Sequence, residues 1–222
     1  MSRNSRRIIL PFVFLWSITW IMMIKFYDVY TIGPQGTEIG LSSLNLWFRD
    51  LFDYPALGFF RTPYLITEFI GYLSLLLCGF WGCIGIYQWV KEKDINAVDK
   101  TIFATGVLYA ITIVLYVVFE KLVVNYRPII MPGDSEVEPS FPSSHTMLSI
   151  IALGSTHYLI GYFLEDTKYK KLIRPLQIAC SVLIAVCVIG RLVCGVHWFS
   201  DIVGGILIST TLLIIYSFFA EV

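Results

Sequence analysis

The strongest chemical signal in the sequence is a segment near the C-terminal end that holds Arg191, His197 and Asp201 within eleven residues. Long apolar runs flank it, and a charged group at the centre of a bilayer costs roughly 2.5–3.5 kcal/mol, so such groups usually mark function. His197 and Asp201 are four residues apart, which lets the carboxylate reach the imidazole on one helix face. That pairing would prepare the far ring nitrogen to act as a nucleophile or base. The alternative, from these residues alone, is a polar pair that only caps the last apolar segment.

A second candidate segment is Pro142-Ser143-Ser144-His145, which opens another apolar run. Serine is favoured at helix N-caps, and the free amides of a helix start bind anions. The sequence therefore places His145 beside a position suited to phosphate. An ordinary N-cap with an incidental histidine is the alternative. We expect His157, in the same run, to be a core residue.

A third candidate segment adds positive charge through Lys121 and Arg127. Pro128 cannot continue a helix and disfavours the helical conformation of its predecessor, so we expect the preceding helix to end at Arg127. These two cations, together with Arg191 and helix-start amides, would form a pocket for a group with two or three negative charges.

Two histidines beside such a pocket indicate phosphoryl transfer through a phosphohistidine, followed by attack of water. Positive groups stabilise the equatorial oxygens of that transition state. The competing interpretation makes His145, His197 and Asp201 ligands of a divalent metal ion, but the neighbouring arginines would repel a cation. We therefore expect no metal and no other cofactor.

The elements that must position these residues follow from the composition. Of 222 residues, 57% are hydrophobic and 14% are charged, and the mean hydropathy is +0.74, as in a polytopic membrane protein. A helix needs about 20 apolar residues to cross a bilayer. Six segments meet this requirement, at about 8–26, 64–90, 101–123, 144–163, 172–189 and 199–219. We predict an all-α, six-helix transmembrane bundle that forms one domain over residues 1–222.

Two features lie outside this simple pattern. Apolar and polar residues alternate at helical spacing over residues 44–52, which predicts a short helix in the outer interface, anchored by Trp47 and Phe48. Glu68 lies in the second apolar segment. We interpret it as a polar contact with a neighbouring helix, with membership of the site as the alternative.

The distribution of positive charge predicts the orientation. With the N-terminus inside, the cytoplasmic segments contain 10 of the 16 basic residues, namely Arg3, Arg6, Arg7, Lys91, Lys93, Lys100, Lys168, Lys170, Lys171 and Arg174. By the positive-inside rule, both termini are cytoplasmic. The candidate site then lies on the extracytoplasmic face of the cell membrane.

These segments together resemble the type 2 phosphatidic acid phosphatases, the lipid phosphate phosphatase superfamily, whose signatures are Lys-x6-Arg-Pro, Pro-Ser-x-His and Ser-Arg-x5-His-x3-Asp. The second signature is intact at residues 142–145, and the third is complete at 190–201 except that Gly190 replaces serine. The first departs, because Glu120 occupies the lysine position and Lys121 follows it. On a helix continuing to Arg127, Lys121 would be turned away by roughly 100–120°.

The resemblance implies a role for each matched residue. It makes His197 the nucleophile, Asp201 its orienting partner and His145 the acid that protonates the leaving oxygen. It also implies phosphate ligands, which are Arg127, Arg191, Ser143, Ser144 and, with its shifted position, Lys121. Gly190 removes one possible hydrogen bond to phosphate.

The function that this resemblance implies is a membrane phosphatase acting on a lipid phosphate or diphosphate at the outer leaflet. Phosphatidate, phosphatidylglycerophosphate and a polyprenyl diphosphate all fit as substrates. The expected partners are the bilayer and this lipid, with no nucleic acid, and the oligomeric state stays open. One alternative is a phosphotransferase that uses an alcohol acceptor, and another is a catalytically impaired protein that binds or transports anionic lipids.

Overall fold

A computed structural model describes residues 3–220, and six long helices dominate this part of the chain. They are α1 (Arg3–Phe26), α3 (Arg61–Glu92), α4 (Lys100–Lys121), α5 (Ser144–Leu164), α6 (Ile173–Cys194) and α7 (Phe199–Phe219). Each is long and apolar enough to cross a membrane. The predicted all-α bundle with six spans is confirmed.

A small ordered unit connects α1 to α3. It contains the predicted short helix, α2 (Ser42–Arg49), and an unpredicted two-stranded antiparallel hairpin, β1 (Tyr30–Thr31) and β2 (Glu38–Ile39). The hairpin turn includes Gly36, whose φ of 74° suits a residue without Cβ. Leu46, Trp47 and Leu51 stay exposed on or beside α2.

The third span ends earlier than predicted. We expected the helix to continue to Arg127, but α4 ends at Lys121, and Leu122 has non-helical angles of φ −95° and ψ 75°. That expectation was wrong because a proline sets only the last possible helical residue; here the chain turns away sooner. The loop after α4 then forms an antiparallel bridge between Tyr126 and Pro139. By contrast, α6 continues beyond the predicted residue 189 and includes Arg191.

Helix α5 lies at the centre of the bundle and packs against α3, α4, α6 and α7. In the most apolar stretch of α5, 61% of the residues are buried inside the bundle, compared with 11% in that of α1. Small residues permit this packing, since membrane helices associate through close backbone approach rather than a hydrophobic driving force. At Gly154, for example, a Cβ would lie 2.6 Å from Leu213 Cδ1 on α7. The central helix therefore holds its N-terminal residues, 143–145, in a fixed position.

The outer surface of the bundle is apolar, as expected for a surface that contacts lipid. Large side chains on five of the six long helices, all except α5, are more than half exposed, including Phe12, Phe69, Ile113, Val182 and Phe219. In the interior of the bundle, away from the start of α5, buried polar side chains such as those of Thr105 and Trp81 form hydrogen bonds to neighbouring residues. Thr105 Oγ1 donates to Thr101 O at 2.8 Å, and Trp81 Nε1 donates to Thr156 Oγ1 at 2.9 Å. Such pairing is required where no water is available.

Candidate active site

The segments singled out in the sequence meet at one end of the bundle. Helices α3, α5 and α7 begin there, α6 ends there, and the loop after α4 covers it. The contacts that join them include a hydrogen bond from Ser143 N to Asp201 O at 3.1 Å, which ties the start of α5 to the start of α7. Antiparallel connection of the helices explains this convergence of residues far apart in sequence.

His197 lies in the short turn between α6 and α7, and its side chain is 2% exposed. Its Nδ1 is 3.1 Å from the carbonyl oxygen of Ser140. Because a carbonyl only accepts, Nδ1 carries the proton and Nε2 keeps its lone pair. Burial lowers the pKa of His197 well below its ordinary value, and the charges of Arg127 and Arg191 lower it further. A neutral imidazole with an unprotonated Nε2 is the form a nucleophile needs.

Asp201 is close to His197 but does not accept its hydrogen bond. The distance from Asp201 Oδ2 to His197 Nδ1 is 3.8 Å. Oδ2 instead accepts from Trp198 N at 3.0 Å, and so caps the start of α7. Asp201 therefore caps the start of α7, and the same carboxylate oxygen also lies near the imidazole. The direct orienting contact to His197 comes from the backbone of Ser140.

A buried asparagine, missed in the sequence, holds Asp201. Asn125 Nδ2 donates to Asp201 Oδ1 at 3.2 Å, and Asn125 Oδ1 accepts from Gly40 N at 3.1 Å. Asn45 of α2 completes the connection through two bonds to Ser200, from Asn45 Nδ2 to Ser200 Oγ at 2.9 Å and from Ser200 N to Asn45 Oδ1 at 3.0 Å. The unit between α1 and α3 is thus attached to the start of α7. The available signal in the sequence was the position of Asn125, two residues before Arg127.

Arg191 lies in the last turn of α6 and is 1% exposed. Its Nη2 donates to Glu68 Oε1 at 2.5 Å, and its guanidinium carbon lies 5.1 Å from the centre of the Tyr64 ring. Glu68 Oε1 is also 3.1 Å from His145 Nε2. Glu68 therefore makes the predicted polar contact with neighbouring helices, and it makes it with two candidate site residues. A carboxylate in an apolar span is itself a functional signal.

Arg127 and Lys121 have different environments. Arg127 is mostly buried, its Nε lies 3.1 Å from Glu138 Oε2, and its backbone N donates to Glu138 O. Lys121 is exposed, and no hydrogen bond or ion pair connects it to another described residue. Because α4 ends at Lys121, the argument from helical phase does not apply to it. An irregular loop, not a helix, sets its distance from Arg127.

The start of α5 presents hydroxyl groups in an unexpected way. Ser143 is the N-cap residue, but its side chain makes no capping hydrogen bond. Ser144 follows as the first helical residue, with Oγ 3.5 Å from His145 Nδ1. Ser143 Oγ and Thr146 Oγ1 are buried without a hydrogen-bond partner among the described residues. Of these two residues, Thr146 was not predicted.

Packing explains why glycine replaces the usual serine at position 190. A Cβ at this position would lie 2.6 Å from Thr67 Cγ2 of α3. The space that a serine side chain needs is occupied by a neighbouring helix.

Buried polar atoms without a partner concentrate at this site. Within residues 3–220 there are seven, of which one is Arg6 Nε at the other end of the bundle. The remaining six are Ser140 Oγ, Ser143 Oγ, Thr146 Oγ1, Arg191 Nε, His197 Nε2 and Arg127 Nε, and the last of these still has the Glu138 carboxylate 3.1 Å away as an ion-pair partner. Buried groups of this kind are rare and require an explanation, such as a ligand. Guanidinium and hydroxyl donors beside one free imidazole nitrogen suit a phosphate. No group of three His, Cys, Asp or Glu residues in the described range is arranged to hold a metal ion.

Comparisons with known proteins agree with this description. The structure is similar to the crystal structure of a transmembrane PAP2-type phosphatidylglycerolphosphate phosphatase from Bacillus subtilis, with a TM-score of 0.63, 19% identity and coverage of 96% of both chains. At this identity the similarity shows the fold. A comparison with curated proteins gave no match. The sequence model of the PAP2 superfamily matches residues 69–221, more than half of the chain. The protein therefore belongs to the PAP2 superfamily, the lipid phosphate phosphatase family that its signatures resemble.

Proposed function

We propose that this protein is an integral membrane lipid phosphatase that acts through a phosphohistidine on His197. The observation that carries the proposal is the buried Nε2 of His197, which has no hydrogen-bond partner among the described residues and lies at the same end of the bundle as the unpaired Ser143 Oγ, Thr146 Oγ1 and Arg191 Nε. Membership of the PAP2 superfamily supports phosphatase chemistry in general. The similar structure is that of a phosphatidylglycerolphosphate phosphatase, which makes this lipid the first substrate to test.

In the first step, the lone pair of His197 Nε2 attacks phosphorus and the bond to the lipid oxygen breaks. His145 donates a proton to that oxygen, so that the lipid leaves as an alcohol. The imidazole gains positive charge as the N–P bond forms. The carbonyl of Ser140, 3.1 Å from Nδ1, and the carboxylate of Asp201, 3.8 Å from Nδ1, stabilise this charge.

In the second step, water attacks phosphorus and the N–P bond breaks. His145, now neutral, accepts a proton from the water, and His197 Nε2 recovers its lone pair. Arg127 and Arg191 stabilise the charge on the non-bridging oxygens in both steps, with the hydroxyls of Ser143 and Thr146 as further donors. The start of α5 adds the positive end of a helix dipole.

A cleft supports a lipid as the substrate. A cavity of about 330 Å³ lies between α3, α4 and α5, with Glu68 and His145 in its lining. The remaining lining is largely apolar and includes Leu75 and Ile113, which are more than half exposed on the outer surface. A phosphorylated lipid could place its head group at His145 while its chains stay in the hydrocarbon layer. A water-soluble phosphoester would gain nothing from such a wall.

We further propose that the site faces the extracytoplasmic side. The loop between α3 and α4 and the loop between α5 and α6 lie at the opposite end of the bundle, and together with the adjoining helix ends they carry seven of the basic residues counted above. A cysteine at the exposed position Asp134 should react with an impermeant thiol reagent in intact cells, and one at exposed Lys93 should not. The reverse pattern, relative to the parent protein with its own cysteines, would contradict this orientation.

The decisive experiment measures phosphate release by the purified protein in detergent, with EDTA present. Phosphatidylglycerophosphate, phosphatidate and a polyprenyl diphosphate form the substrate panel. We expect release from at least one lipid, an acid-labile phosphoenzyme on His197, and loss of both in His197→Ala. Strict dependence on an alcohol acceptor would indicate a phosphotransferase instead. Binding without any turnover would indicate a lipid-binding protein.

A further inference from the structure

Glu68 contacts two side chains that, in the proposed function, act on the substrate: one binds its phosphate and the other protonates its leaving oxygen. Its Oε1 accepts a hydrogen bond from Arg191 Nη2 at 2.5 Å and lies 3.1 Å from His145 Nε2. One oxygen thus meets both the cation assigned to phosphate and the imidazole assigned to the leaving oxygen. A phosphate oxygen that used both groups would need the same position.

The burial of Arg191 explains why this arginine needs an anionic partner. Its side chain is 1% exposed, and a buried guanidinium without a counter-charge is strongly destabilising. A guanidinium makes a two-point contact with phosphate through two parallel N–H groups. Glu68 already accepts a hydrogen bond from one of the N–H-bearing atoms of Arg191, Nη2. Glu68 also lines the cleft between α3, α4 and α5. The PAP2 match begins at residue 69, so this carboxylate lies just outside the matched range.

We propose that Glu68 determines which anions the site retains: its carboxylate occupies the anion position between Arg191 and His145, and the phosphate of a substrate displaces it. The inference rests on the proposed function for the assignment of phosphate to this position. A displaced carboxylate competes with every anion that enters. Inorganic phosphate competes with Glu68 through its charge alone, whereas a lipid phosphate also gains contacts in the apolar cleft. The internal carboxylate therefore favours lipid substrates and promotes release of the phosphate product.

Glu138 provides a matched control for the charge itself. It also pairs with a site arginine, since its Oε2 lies 3.1 Å from Arg127 Nε. Its side chain is 50% exposed, against 22% for Glu68, and its partner is Arg127 rather than Arg191 and His145. Neutralising either residue removes one negative charge from the site. Only Glu68 occupies the position between the two catalytic segments.

The test is calorimetric titration of inorganic phosphate into the purified protein and its folded variants in detergent. Glu68→Gln should bind phosphate about tenfold more tightly than the wild type, because a like charge a few ångströms from the dianion is removed. Glu68→Asp keeps the charge and should stay within about threefold of the wild type, and Glu138→Gln should tighten binding by less than about threefold because exposed charges are screened. Unchanged affinity in Glu68→Gln, or equal tightening in Glu138→Gln, would overturn the inference.

A measurement on the wild type covers the case in which Glu68→Gln does not fold. In protein labelled with ¹³C at glutamate carboxyl groups, added phosphate should shift a carboxylate stretching band in the infrared difference spectrum. No shift at saturating phosphate would refute displacement. Neither measurement requires turnover. If Glu68→Gln binds phosphate more tightly but the wild type does not hydrolyse lipid, only the phosphatase proposal is rejected. If the wild type hydrolyses lipid but Glu68→Gln binds phosphate with unchanged affinity, only the displacement of Glu68 is rejected.

Discussion

Restoring the family serine at position 190 should harm this protein. A Cβ at Gly190 would lie 2.6 Å from Thr67 Cγ2 and 3.7 Å from Pro63 O. Thr67 is fully buried, and its hydroxyl contacts Pro63 O at 3.0 Å and Tyr64 O at 2.8 Å, so its side chain has little freedom to rotate. Insertion of a side chain into such packing costs about 1–3 kcal/mol. For a protein of this length, 1 kcal/mol corresponds to about 2–4 °C in Tm.

We therefore expect Gly190→Ser to lower Tm by about 2–12 °C. Activity should fall as well, because α3 and α6 would separate where Glu68 contacts Arg191. Thr67→Ser deletes the obstructing methyl group and keeps the hydroxyl. The double variant Gly190→Ser/Thr67→Ser should recover most of the lost Tm and activity, which a double-mutant cycle quantifies.

The assay combines thermal unfolding in detergent, followed by tryptophan fluorescence, with phosphate release from the preferred lipid. Gly79→Ser is the matched control, since nothing lies within 4 Å of a Cβ at that position on α3. It should change stability by less than about 0.5 kcal/mol. If Gly190→Ser is as stable and as active as the wild type, or more active, the packing argument is wrong. Failure of Thr67→Ser to compensate would show that the methyl contact is not the cause.

Three further predictions concern the catalytic groups. His145→Ala should retain much more kcat/KM on p-nitrophenyl phosphate than on a lipid phosphate, because nitrophenolate leaves without a proton; equal losses would reject His145 as the acid. Lys121→Ala should reduce kcat/KM less than Arg127→Ala, since Lys121 is exposed and Arg127 is mostly buried in the site; an equal or larger loss at Lys121 would contradict this. Because the pKa of His197 is lowered well below 6.5, neutral His197 persists as pH falls through that value. The kcat/KM profile should therefore show no decrease from His197 near pH 6.5, and assignment of such a decrease to His197 by ring-nitrogen NMR titration would refute it.

The sequence alone determined the membrane architecture and the main chemical groups. Runs of about 20 apolar residues permit few structures other than spanning helices, because every backbone polar group must bond internally in lipid. The alternation of these helices placed Arg127, His145 and His197 at the same end without any knowledge of packing. The signatures around those residues gave the family correctly, since their order and spacing are local properties of the chain.

Only the tertiary structure decided how these groups are paired. Glu68 and Arg191 are 123 residues apart, and no local pattern indicates that they meet. The partner of His197 Nδ1 is a backbone carbonyl, which every residue possesses, so the sequence could not select Ser140.

The tertiary structure also shows two features that the signatures do not explain. Helix α4 ends at Lys121, whereas Pro128 sets only a limit on how far it could continue. Gly190 is explained by the close approach of α6 to Thr67 of α3. Such contacts depend on the distance between helices, which hydrophobic periodicity within a single helix does not encode.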